Sequence, residues 1–194
     1  METTGELRSG ANRMRRMRIP SLGKRGQSGM VAVEFALIAP IFFLMLFAIL
    51  ETGLALFASM LLENGVKTTA RMIRTGQAVS ANMTQAQFRQ ALCDQINLVL
   101  SCDASKLYVD VRAFNSFAGS GFPPPIDANG NINPNLNSYQ LGASSQISNA
   151  TDVVLVRAFY TWQMFTPLVG KFYANMNNNT RLLTASAAFR NEPY

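Results

Sequence analysis

The chain of 194 residues contains no histidine. That absence excludes Ser-His-Asp and Cys-His catalysis, HExxH zinc sites and every imidazole proton relay, the commonest routes to chemistry at neutral pH. Cysteine is nearly absent as well, with Cys93 and Cys102 the whole complement. An even pair suits a disulfide in an oxidising compartment; the alternative is two buried thiols in a reducing one. Along one unbroken helix, nine residues would separate the two Cα atoms by about 13.5 Å, against the roughly 7 Å that a bridge tolerates. A Cys93–Cys102 bridge therefore requires the chain to leave its helix and turn back before Cys102.

Charged residues make up only 14% of the chain, so their placement is informative. Residues 1–29 hold seven cations (Arg8, Arg13, Arg15, Arg16, Arg18, Lys24, Arg25) and two anions, a net of +5, whereas the remainder nets +1. The basic character belongs to the N-terminus and not to a folded domain. A nucleic-acid-binding domain wears its charge on its own surface, so no nucleic acid is expected as a partner.

After the basic stretch comes a long apolar run. Phe35–Leu50 carries no charge, and after Glu51 apolar residues resume in LALFASMLL. A membrane span needs about 20 such residues, and Val31–Phe57 supplies them. The cationic flank lies before the run, which predicts a cytoplasmic N-terminus, one pass through a bacterial inner membrane, and an extracytoplasmic chain beyond about residue 58. A cleavable secretory signal would have a shorter apolar core followed by a small-x-small site, and this run does not fit it.

Gly29-Met30-Val31-Ala32-Val33-Glu34-Phe35 stands at the start of that run. A glycine at the membrane face lets a peptidase approach the backbone closely. Glu34 would cost a few kcal/mol in lipid alone unless it meets an opposite charge. Basic leader, Gly29, Glu34 and a long apolar helix together match the type IV prepilin processing site. The block GMVAVEFALIAPIFFLMLFAILETG, with ARMIRTGQA ending at residue 78, resembles the TadE-like family of tight-adherence (Flp-type) pilus systems. The resemblance is carried by Glu34 with Phe35, Pro40, Glu51-Thr52-Gly53, Arg71 and Gly76, and the ending FRNEPY is similar too. It implies a pilin-like membrane protein cut by a prepilin peptidase between Gly29 and Met30, with Glu34 and Phe35 serving processing and assembly. It also implies other pilus subunits and the lipid bilayer as partners. The related TadF proteins share this anchor.

Beyond the span, Leu62, Val66, Thr69/Ala70 and Ile73 recur at helical spacing, with Gly76 a natural stop. A helix over Val31–Thr75 would be roughly 66 Å long, about twice the membrane core. Pro40 should kink it tolerably. A second helix is predicted over Gln85–Val99, capped by Thr84 with Gln87 and striped by Phe88, Leu92, Ile96 and Val99. Strands are predicted over Lys106–Phe114, Asp152–Gln163 (central) and Arg181–Phe189, and Thr166-Pro167 resembles the start of a short helix. The aromatics Phe159, Tyr160, Trp162 and Phe165 read as sheet core. Residues 115–151 form a long loop rich in Asn, Gly, Ser and Pro. Within it, Asp127-x-Asn129-Gly130-Asn131 has a misplaced glycine and a single carboxylate for calcium, so it reads as a solvated turn.

The expected fold class is α+β and pilin-like. It comprises a leader (1–29), a transmembrane and stalk helix (30–76), and an extracytoplasmic head (77–194) with about three antiparallel strands. No cofactor or metal is expected. The leading function is a non-enzymatic pilin-like subunit required for pilus assembly. The alternative is an uncleaved, signal-anchored binding or sensory module. An anchored enzyme is disfavoured by the missing histidine and the lack of paired carboxylates.

Overall fold

The computed structural model describes residues 25–114, 122–141 and 153–190. The basic residues before Arg25, the two ends of the long loop and the final Asn191–Tyr194 lie outside them. The chain divides into two compact units, Met1–Phe43 and Leu44–Tyr194.

One helix, α1, runs Arg25–Arg74 and is unbroken through Pro40. In the first unit its large apolar side chains, from Met30 to Phe43, are exposed. Polar solvent would not leave such a surface uncovered in a folded protein, so this portion has the character of a membrane-anchoring helix.

In the second unit the part of α1 beyond Leu44 supplies one layer of the core. Ala55, Ala58, Leu62, Val66, Ala70 and Ile73 are buried at three- and four-residue spacing along one face. Thr75 and then Gly76, at φ 75°, end the helix, a left-handed position that glycine fills without a Cβ penalty. A short turn of helix, α2 (Gln77–Ser80), leads to α3 (Gln85–Ile96). The predicted capping box is present: Thr84 N–H donates to Gln87 Oε1 at 2.8 Å, and Gln87 N–H donates back to Thr84 Oγ1 at 3.3 Å. Helix α3 lies close on α1 at Gly65, where a Cβ would come within 2.7 Å of Ile96 Cγ2. It stops at Ile96, short of the predicted Val99, as the chain turns toward the Cys93–Cys102 bridge.

Three antiparallel strands complete the head in the order β1 (Leu107–Phe114), β2 (Val153–Gln163), β3 (Thr180–Arg190). The central β2 pairs with β3 along its whole length and with β1 from Val153 to Tyr160, Asp110 facing Arg157 on one side and Ser186 facing Arg157 on the other. A short helix, α4 (Pro167–Tyr173), connects β2 to β3. One face of the sheet meets α1 and α3 through Val109, Val111, Val154, Val156, Ala158 and Tyr160. The opposite face is covered by the middle of the long loop, which seats Leu136 with Phe159 and Leu182. That segment also closes the free edge of β1, where Val111 N–H donates to Ser138 O and Gln140 N–H to Val111 O. The described part of the loop is therefore a structural cover.

Burial of β2 on both faces explains its apolar run, and it separates the aromatics expected to share one core. Tyr160 and Trp162 enter the helix side, and Phe159 the loop side. Phe165 is a correction: it lies past the end of β2 and is 73% exposed, its ring meeting that of Trp162 edge-on.

Candidate functional site: the anchor segment and its junction with the head

The residues expected to carry processing and assembly all sit on the first unit's part of α1. Gly29, Met30, Glu34 and Phe35 are helical and exposed. Met30 and Glu34 stand one turn apart on the same helix face. Among the described residues, a Cβ added at Gly29 would have no atom within 4 Å. Glycine inside a helix costs roughly 0.5–1 kcal/mol relative to alanine, and no packing among the described residues requires one there. Gly53 is equally open.

Glu51 behaves differently from a polar residue at the far end of a span. Its side chain belongs to the head core, 4% exposed. The carboxylate accepts the backbone N–H groups of Phe165 and Thr166, the latter at 3.1 Å. Those amides stand at the start of α4, where donors have no partner inside their own helix. Thr166 occupies the N-cap position as expected, but its side chain makes no capping bond. Glu51 supplies the acceptor instead, and so ties α1 to the β2–α4 corner. The head therefore grips α1 from Glu51 upward, nearer the apolar run than residue 58. The sequence signal was a lone carboxylate inside an apolar helix with no basic residue one turn away.

A second buried constellation has almost no signal in the sequence. Asp110, fully buried, accepts from Arg157 Nε at 3.1 Å, from Arg157 Nη2, and from Arg112 Nε at 2.9 Å. Arg157 is stacked over the rings of Phe122 and Phe159, and Arg112 also donates to Asn135 O at 2.7 Å. Two arginines on one carboxylate, one donating on to a loop carbonyl and the other lying over two rings, make an ionic clasp between sheet and loop. An arginine in the middle of the apolar run VVLVRAFY was its only trace.

Cys93 and Cys102 are disulfide-bonded with a Cα–Cα distance of 5.6 Å. The Asp127 carboxylate accepts the N–H groups of Asn129 and Asn131 at 2.9 and 2.8 Å, which organises a turn with Gly130 at φ 76°. Tyr139, half-buried, donates to Met83 O at 2.9 Å, and desolvation pushes its hydroxyl up to about 12. None of these groups forms a reactive arrangement.

Comparison with curated proteins and with solved structures finds no match. Comparison with protein families finds one: the model described as TadE-like protein matches residues 29–71, beginning at Gly29 and ending within the part of α1 held by the head. The match covers less than half of the chain and falls inside the block whose residues carry the resemblance. Residues 29–71 of this chain are thus similar to the TadE-like family, and the similarity falls on the long apolar helix α1.

Proposed function

We propose that this chain is a minor pilin-like subunit of a tight-adherence pilus machine, made as a precursor and cut between Gly29 and Met30 by a prepilin peptidase. In this reading residues 1–29 are a cytoplasmic leader, 30–76 the membrane and stalk helix, and 77–194 the extracytoplasmic head, oriented by the cationic N-terminus. The observation that carries it is the start of the TadE-like match at Gly29, a helical glycine that no packing among the described residues needs. Close approach by an outside agent accounts for it. The new α-amino group on Met30 supplies a cation for Glu34 of a neighbouring subunit, and Phe35 packs beside that pair. On the face of α1 turned from the head, Leu56, Phe57 and Met60 continue the apolar surface past what one bilayer covers. That surface is available to adjacent helices of a bundle.

Two variants test the reading. Gly29→Leu should leave the full-length precursor in the membrane. Glu34→Ala should still be cleaved but should fail to support pili, because truncating one partner of a charge pair in a water-poor bundle costs several kcal/mol. N-terminal sequencing of membrane-extracted protein and a pilus count on each strain give the answer. Wild-type protein still beginning at Met1 would defeat the reading and leave the uncleaved anchored module in its place.

A further inference from the structure

The short helix α4 presents an apolar surface that the head does not use. Leu168 and Phe172 stand one turn apart on its outer side, 53% and 86% exposed, and Phe165, just before its N-cap, is 73% exposed. The inner side is firmly seated. Val169 and Gly170 are buried, and a Cβ at Gly170 would fall 1.5 Å from Asn179 Oδ1. The three exposed side chains are therefore held outward by the packing beneath them and are not a loose end of the core.

The position of α4 along α1 is set by Glu51, whose carboxylate accepts the amides of Phe165 and Thr166. A span of about 20 residues that begins at Met30 ends at Leu50, and one that begins after Glu34 ends near Ala55. Glu51 falls between these limits. The exposed face of α4 is thus level with the place where α1 leaves the hydrocarbon. Its chemistry suits that depth. Aromatic rings stand beside Lys171, and Arg181 donates to Tyr173 O at 2.9 Å while lying over the Tyr173 ring. Aromatic bodies with cationic neighbours favour the headgroup–acyl boundary. Specific protein contacts use about 20–30 residues a side, far more than this patch offers, whereas a few side chains suffice for a boundary contact beside an existing span.

We propose that α4 rests in the extracytoplasmic leaflet, with Phe165, Leu168 and Phe172 inserted at the headgroup–acyl boundary, so that the head is fixed against the bilayer at two points. This rests on α1 being a membrane anchor. It does not depend on leader cleavage or on pilus assembly.

The test uses the full chain in phosphatidylcholine–phosphatidylglycerol vesicles. Trp162→Phe removes the single native indole, whose Nε1 has no hydrogen-bond partner among the described residues. Phe172→Trp or Leu168→Trp then places a reporter on α4, and Gln77→Trp places one at the exposed start of α2, past the end of α1, which lies about 35 Å along the helix from Glu51. Lipids brominated near the headgroup should quench the α4 indole about 2-fold or more, with a blue-shifted emission, and should leave the position 77 indole unchanged. Two results overturn the proposal. An α4 indole indifferent to bromolipid but quenched by acrylamide faces water. An α4 indole shielded from both is covered by protein. Circular dichroism confirms that each variant is folded, and the two α4 positions guard against misfolding of one. Flotation separates the premises: protein that does not float with vesicles defeats the anchor itself, whereas protein that floats with an unquenched α4 defeats only this inference.

Discussion

Removing the Glu51 carboxylate is the most direct way to ask whether α1 and the head are one mechanical piece. In Glu51→Ala two backbone amides at the start of α4 lose an acceptor that no nearby side chain replaces. Hydrogen bonds to a charged group contribute about 1.5–3 kcal/mol each, and part of that is returned because the carboxylate no longer has to be desolvated. A net loss of about 3 kcal/mol is expected for alanine. Glutamine keeps one acceptor oxygen but turns a donor toward a second amide, for a loss of about 1–2 kcal/mol. At roughly 2–4 °C per kcal/mol for a domain of this size, alanine should lower the melting temperature in detergent by about 6–12 °C. A local reporter is built in. Trp162, the only tryptophan, meets Phe165 edge-on with ring centroids 6.2 Å apart, directly beside the capped amides. Its emission should shift to the red before the global transition in Glu51→Ala, and less so in Glu51→Gln. An alanine variant that melts within about 1 °C of wild type with unchanged Trp162 emission would refute the argument, and would mean that apolar packing at Ala55 and Ala58 holds the helix unaided.

Other perturbations have equally definite outcomes. Asp110→Ala strands Arg157 in a buried site and should destabilise the head by about 3–5 kcal/mol, read as a lower urea midpoint; Asp110→Leu with Arg157→Met should recover most of that loss. Replacing Cys93 and Cys102 together by serine should cost roughly 2–3 kcal/mol through the longer reach of the unfolded chain, and non-reduced, denatured wild-type protein should show no reactive thiol. The hydroxyl of Tyr139 titrates higher in the folded head, about 12, than the ordinary 10, so its contribution to stability is complete below pH 10 and declines as pH rises toward 12. Tyr139→Phe should make denaturation midpoints fall less steeply across that alkaline window.

The elements with strong local signals were legible from residues alone. The apolar run pointed to a membrane or a bundle, and Glu34 with Phe35, Pro40, Glu51-Thr52-Gly53, Arg71 and Gly76 carried the family resemblance. Thr84 with Gln87 marked the start of α3 because capping is a contact three residues long. Alternation in residues 107–113 identified a strand for the same reason, since side-chain direction along a strand has a period of two, and the Val-rich run 153–156 marked a strand buried on both faces. A bridge between Cys93 and Cys102 required a chain reversal whatever the fold.

Tertiary structure decided what local pattern cannot carry. Glu51 and Thr166 are 115 residues apart, and nothing local to either indicates that the carboxylate, and not the threonine hydroxyl, serves the first amides of α4. Asp110 lies on a face that alternation assigns to solvent; it is buried because the loop segment 122–141 folds over that side of the sheet and Arg157 arrives opposite it in register. Phe165 has the composition of a core residue, yet the strand ends two residues before it and turns its ring outward. In each case the outcome depends on which surfaces meet across the fold. Local sequence sets dihedral preferences and side-chain direction, whereas the burial of a given face is set by segments far away in the chain.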